Sequence, residues 1–269
     1  GEFIRLYIPR HQRWNSPKFL IGESYGTTRA AGLAEHLQDR HGIYLNGLVL
    51  VSVVLNFQTI SFDSGNDLPY VLFLPSYTAT AWYHRRLSKA ALEEDFSSIL
   101  NKAERFAQDE YAPALMAGAS LPPEKRQQVL EKLALFTGLS EEYLAQNDLR
   151  VPVFRFVKEL LRDQNRIVGR FDGRFTGREY DAAGEMFRYD PSYTAVKGIF
   201  TATLNHYVRS ELEFEEDLVY EILNSSRVQP WDYGRYQNRY LNMAAALREV
   251  MTQQPNLKVF FANGYYDLA

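Results

Sequence analysis

The sequence predicts an α/β protein: a parallel sheet interrupted by a large, mostly helical insertion. Three observations lead there. A strand–helix–strand pattern fills residues 18–55, about 200 helix-patterned residues follow, and a further apolar strand returns at 257–262. Strand–helix–strand at that spacing marks a right-handed crossover between parallel strands.

The breaker Asn15-Ser16-Pro17 introduces the first strand, residues 18–22. A helix carrying Ala30, Ala31, Leu33, Ala34 and Leu37 follows. The second strand, residues 48–55, is a continuous apolar run, the pattern of a strand covered on both faces. From Leu92 the apolar positions Phe96, Ile99, Leu100, Ala103 and Phe106 fall at helical spacing. Pro122-Pro123 opens a helix with Val129, Leu130, Leu133 and Phe136 on one side, and Ser140 caps another with Glu141 and Glu142 in its first turn. Phe154, Val157, Leu160 and Leu161 mark one more. A turn is expected at Phe171-Asp172-Gly173-Arg174, then a long helix with Val196, Ile199, Phe200, Leu204 and Tyr207, on which His206 sits at the core or rim. Glu215-Glu216-Asp217 reads as a solvated helix start. Gln254-Pro255-Asn256 introduces the last strand. The block between the strands resembles a lid. Its opening aromatic stretch, Tyr70 to Tyr83, is expected either to face the turn after the first strand or to pack within the block.

Hydrophobic residues make up 46% of the 269 positions and charged ones 23%, which excludes a disordered or fibrous chain. The net charge of −3 gives no electrostatic reason to expect nucleic acid or an anionic membrane as partner. Zero cysteines exclude disulfides, zinc–thiolate sites and a thiol nucleophile. No metal-ligand spacing or phosphate loop is present, so no cofactor or metal is expected. The opening Gly1-Glu2-Phe3 carries neither Met nor a signal core, and the chain stops just behind a strand, so it reads as an interior piece of a longer protein.

Gly22-Glu23-Ser24-Tyr25-Gly26 is a G-x-S-x-G pentapeptide placed directly after a strand and before a helix. Turning from strand to helix at one residue forces a nucleophilic serine into strained φ/ψ. Side chains two positions either side are expected to clash, hence the two glycines. The alternative is a Gly-flanked serine that merely caps a helix.

The stretch Phe19-Leu20-Ile21-Gly22-Glu23-Ser24-Tyr25-Gly26-Thr27 resembles the nucleophile elbow of the serine carboxypeptidases, the relatives of cathepsin A. Asn263-Gly264-Tyr265-Tyr266-Asp267 resembles that family's Asn-Gly-x-x-Asp stretch, which supplies the acid of the triad. The resemblance implies an α/β-hydrolase fold with residues 1–69 as part of the core, 70–240 as the helical cap and 241–269 as the return to the core. It implies release of C-terminal residues from peptides, with Ser24 as nucleophile, Asp267 as triad acid, the Tyr25 N–H in the oxyanion hole and Glu23 reading the substrate's terminal carboxylate. Thr27 stands where relatives often have Gly, and Tyr265 where many have a second Asp. With the absence of Cys, these departures resemble a bacterial branch; a periplasmic or secreted location is what the family resemblance implies, since lack of Cys does not fix the compartment.

In this fold the triad runs Ser, Asp, His, yet His11, His36, His41, His84 and His206 all precede Asp267. The base and the glycine-rich oxyanion loop are therefore expected outside these residues, and the isolated chain is expected to be inactive. An esterase or acyltransferase would use the same Ser24 and Asp267. A non-catalytic binding domain would keep the turn as a relic.

Overall fold

The computed structural model describes residues 1–218, 220, 222–223 and 231–269; the remaining positions, inside the expected insertion, lie outside the described residues. The protein is a mixed α/β chain with a small parallel sheet and many helices. It divides into two compact units: Gly1–Pro69 with Arg235–Gly264 and Ala269, and Tyr70–Gly234 with Tyr265–Leu268.

The first unit holds α1 (Glu2–Arg10), β1 (Phe19–Glu23), α2 (Tyr25–His41), β2 (Gly47–Val51), a second-unit excursion, and then α11 (Ala244–Gln253) and β5 (Lys258–Ala262). The strands lie in the order β1-β2-β5, all parallel, with Leu20 opposite Leu48 and Leu48 opposite Val259. That row, with Leu50, packs into a cluster with Ala30, Ala31, Ala34 and Leu37 of α2 and Ala246, Leu247 and Val250 of α11. The small side chains on α2 let helix and sheet approach closely, which holds the start of α2 against the carboxyl end of β1.

Two expectations about the sheet need correction. The second strand stops at Val51, because Ser52 takes φ +50° and cannot continue the pleat. Nor is the face of β2 that carries Val49 and Val51 fully covered: both are half-buried, and on the flanking strands Phe19, Ile21 and Phe260 are 66%, 76% and 62% exposed. Hydrophobicity along the run reflects capacity for burial.

The second unit contains α3 (Leu68–Tyr83, beginning two residues before the boundary), α4 (Lys89–Glu93), α5 (Phe96–Phe106), α6 (Ala112–Ala117), α7 (Pro123–Thr137), α8 (Glu141–Gln146), α9 (Val153–Glu159), the antiparallel pair β3 (Arg166–Val168) and β4 (Thr176–Arg178), and α10 (Pro191–Ser210). The helices start where side chains can satisfy their first N–H groups. Asp95 accepts from Ser97 and Ser98, Ser140 from Tyr143, and Asp190 from Ser192 and Tyr193. A π-helical turn, Ala107–Tyr111, joins α5 to α6. Tyr77 of α3 is buried, stacks on Phe156 at 4.0 Å and donates its hydroxyl to the Val151 carbonyl, so it belongs to this unit's core. His206 lies on an exposed stretch of α10 rather than in a core. Glu215-Glu216-Asp217 is not helical; Arg209 of α10 pairs with Asp217 instead. Among the described residues no helix is long and apolar enough to cross a membrane.

A buried ion pair fastens the loop after β4 to α9. Lys158 and Glu179, each with a side chain 1% exposed, lie 2.8 Å apart, and Lys158 also donates to the Asp181 carbonyl. Burial alone would raise the Glu179 carboxyl, but Lys158 and the N–H groups of Asp181 and Tyr180 outweigh it and hold it below its ordinary value. Lys158→Met leaves that carboxylate buried without its cation and is expected to cost about 3–5 kcal/mol; Lys158→Met with Glu179→Leu should recover most of the loss. Because the folded carboxyl is depressed, its stabilisation is present at neutral pH and is lost as pH falls below about 4. Urea midpoints of the wild type and both variants at pH 7 and pH 3.5 check both statements.

Candidate active site

The strand-to-helix turn is built at Ser24. The Ser24 N–H continues the ladder to the Val51 carbonyl at 2.9 Å, and one residue later α2 has begun. Ser24 makes the change of direction with φ +53° and ψ −122°, a region that a residue with a Cβ rarely adopts. Such a residue costs on the order of 1–3 kcal/mol and persists only when its surroundings enforce it. Its side chain makes no capping hydrogen bond, so the reading of Ser24 as a plain N-cap does not hold. The helix that starts here places the positive end of its dipole at this turn, with no acid in the first turn to offset it.

The surroundings that enforce the turn were only partly visible in the sequence. A Cβ on Gly22 would lie 2.3 Å from the Gly26 carbonyl oxygen and 2.9 Å from the Thr27 nitrogen. A Cβ on Gly26 meets nothing within 4 Å, so the expected clash is confined to Gly22. We therefore expect Gly22→Ala to cost about 3 kcal/mol and Gly26→Ala, inside a helix, to be neutral or stabilising by under about 1 kcal/mol, as urea midpoints would show.

Thr27 holds the start of α2 in place. It is fully buried, its hydroxyl lies 2.6 Å from the Ser24 carbonyl oxygen, and it accepts the Val54 N–H at 2.9 Å. Thr28 donates to the Val54 carbonyl alongside it. These two hydroxyls tie the first turn of α2 to the loop leaving β2. That loop starts at Ser52, the second residue at the carboxyl ends of these strands with a positive φ. Nothing in the apolar run around Ser52 signals it. Glu23 closes β1 opposite Val51, and Val51 faces Ala262, the last residue of β5. The Asn263 side chain then accepts the Val53 N–H at 3.4 Å, joining the exits of β5 and β2.

Glu23, Ser24 and Tyr25 are thus consecutive at one strand end in the first unit, and Tyr25 stacks edge-on against Phe57. Asp267 follows the end of β5 by five residues and belongs to the second unit. Of the histidines, His36 and His41 lie 12 and 17 residues along α2 from Ser24, or about 18 and 25 Å at 1.5 Å per residue, with their rings against each other. His11 stacks on Tyr7 at the end of α1. In the second unit, Nε2 of His84 lies 2.7 Å from the Gly173 carbonyl, and burial lowers that imidazole below its ordinary value. Among the described residues no group of three or more His, Asp or Glu side chains could hold a metal ion.

No family model, curated protein or solved structure matches this chain.

Proposed function

We propose that the chain is part of a serine carboxypeptidase with an α/β-hydrolase core and a helical cap, acting on peptides that end in a free carboxylate. The observation that supports this most is Ser24: a non-glycine residue at positive φ, between a parallel strand and a helix, whose hydroxyl is not used as a cap. A serine kept in that conformation at a cost in stability is suited to present its Oγ to a substrate.

In this reading Ser24 Oγ attacks the last peptide carbonyl, passing its proton to a histidine supplied from outside these residues. The oxyanion is received by the Tyr25 N–H at the start of α2 and by a second donor also from outside. Asp267 orients the histidine, which gives its proton to the leaving amine as the C–N bond breaks and the C-terminal residue departs. A water deprotonated by the same histidine then hydrolyses the acyl ester, and the proton returns to Ser24 Oγ. Glu23, the neighbour of Ser24 at the strand end, holds the substrate's terminal carboxylate by sharing a proton with it. That last role favours a carboxypeptidase over an esterase or acyltransferase using the same Ser24 and Asp267, for which an acid at this position has no use.

A serine-directed phosphonate probe tests the reading. In the full-length protein it should form one adduct, located by peptide mass spectrometry on Ser24. The absence of any adduct there would favour a binding domain that keeps the turn without the chemistry.

A further inference from the structure

The last residues before the chain ends are held by a hairpin of the second unit. The Gly173 N–H donates to the Tyr266 carbonyl at 2.8 Å, and the Leu268 N–H donates to the Arg170 carbonyl at 2.9 Å. These two bonds flank Asp267 on both sides. Leu268 is fully buried, and the Tyr266 ring packs against Tyr83 and Phe96. The Arg174 guanidinium covers the Tyr266 ring at 4.9 Å. Asp172 grips that guanidinium with both oxygens, at 2.9 Å from Nε and 2.6 Å from Nη2.

The hairpin tip is itself tied down. Arg170 and Phe171 donate their N–H groups to Asp190 and to the Ser192 hydroxyl at the start of α10. Gly173 has no room for a side chain, since a Cβ would lie 2.5 Å from the Thr80 hydroxyl. A turn this constrained is a rigid support for whatever it grips.

We propose that the turn between β3 and β4 is the positioning element of the catalytic acid, with Arg174 acting through Tyr266 to set the placement of Asp267. This rests on the reading of Asp267 as the triad acid. The strand before it ends five residues earlier, so the flanking bonds to the hairpin, rather than the sheet, fix its backbone. A carboxylate displaced by about an ångström orients its histidine poorly, and such displacements lower rates by up to about 10²-fold.

The test is a double-mutant cycle on kcat in the full-length protein. Arg174→Ala removes an exposed side chain and should lower kcat about 10- to 100-fold, with KM and the thermal midpoint unchanged. In an Asp267→Asn background, already lowered, Arg174→Ala should produce no further loss. Arg174→Lys, which keeps the charge without the planar fork, should rescue only in part. Equal losses on both backgrounds, no loss on either, or a loss that tracks a fall in thermal midpoint would overturn the positioning role while leaving the triad reading standing. If Asp267→Asn alone left kcat intact, the triad reading would fall, and this role with it.

Discussion

Ser24→Ala is expected to lower kcat of the full-length protein by on the order of 10⁶-fold, the loss seen when a triad serine is removed and only binding and oxyanion contacts remain. The fold should survive, because Ser24 contributes its backbone, not its hydroxyl, to the surrounding hydrogen bonds. Ser24→Gly separates the two contributions further. Glycine adopts φ +53° without the Cβ penalty, so this variant should be more stable than wild type by about 1 kcal/mol and equally inactive. A gain in stability coupled to a total loss of activity is the signature of strain held for function. Ser24→Gly with unchanged or lower stability would mean that the turn is relaxed, and the main support for a catalytic serine would be gone.

Glu23→Gln is expected to move peptidase activity toward neutral pH. Two carboxylates about 4 Å apart repel by about 4 kcal/mol at an effective dielectric constant of 20, on the order of 10³ in binding. A peptide terminus therefore binds beside Glu23 only when one proton is shared between them, which happens at acidic pH. In wild type, kcat/KM for peptides should peak at acidic pH and fall as pH rises. Esters and amidated peptides lack the terminal carboxylate, so their hydrolysis should follow the histidine and persist to higher pH. With Gln at position 23 the two profiles should converge. Superimposable profiles already in wild type would remove Glu23 from carboxylate recognition and leave the esterase reading ahead.

Much of the local architecture was legible. Pro17 and the glycines around Ser24 punctuate the first strand so strongly that β1 and α2 fall within a residue or two of where the pattern places them. The α5 and α7 stripes were readable for the same reason: their apolar residues face one core at the helical period. What was not legible depended on partners distant in sequence. Ser52 sits in an unbroken apolar run, and its positive φ follows from the loop that Thr27 and Thr28 capture. The role of Thr27 was not visible in the sequence because its hydroxyl partner at Val54 is set by tertiary structure. Periodicity showed that Phe19, Ile21 and Phe260 could be buried, but not that their face of the sheet would be open. The hairpin at residues 170–174 and the segment around Asp267 are separated by over 90 positions in the sequence, and neither stretch signals that the two pair.

The most direct test of the account is the product of the reaction. The full-length protein is incubated at acidic pH with a peptide and with its C-terminally amidated twin, and the products are read by mass. Stepwise loss of single C-terminal residues from the free peptide is expected, with little loss from the amide and none from either with Ser24→Ala. Cleavage at internal bonds, equal processing of both peptides, or activity that survives Ser24→Ala would contradict it.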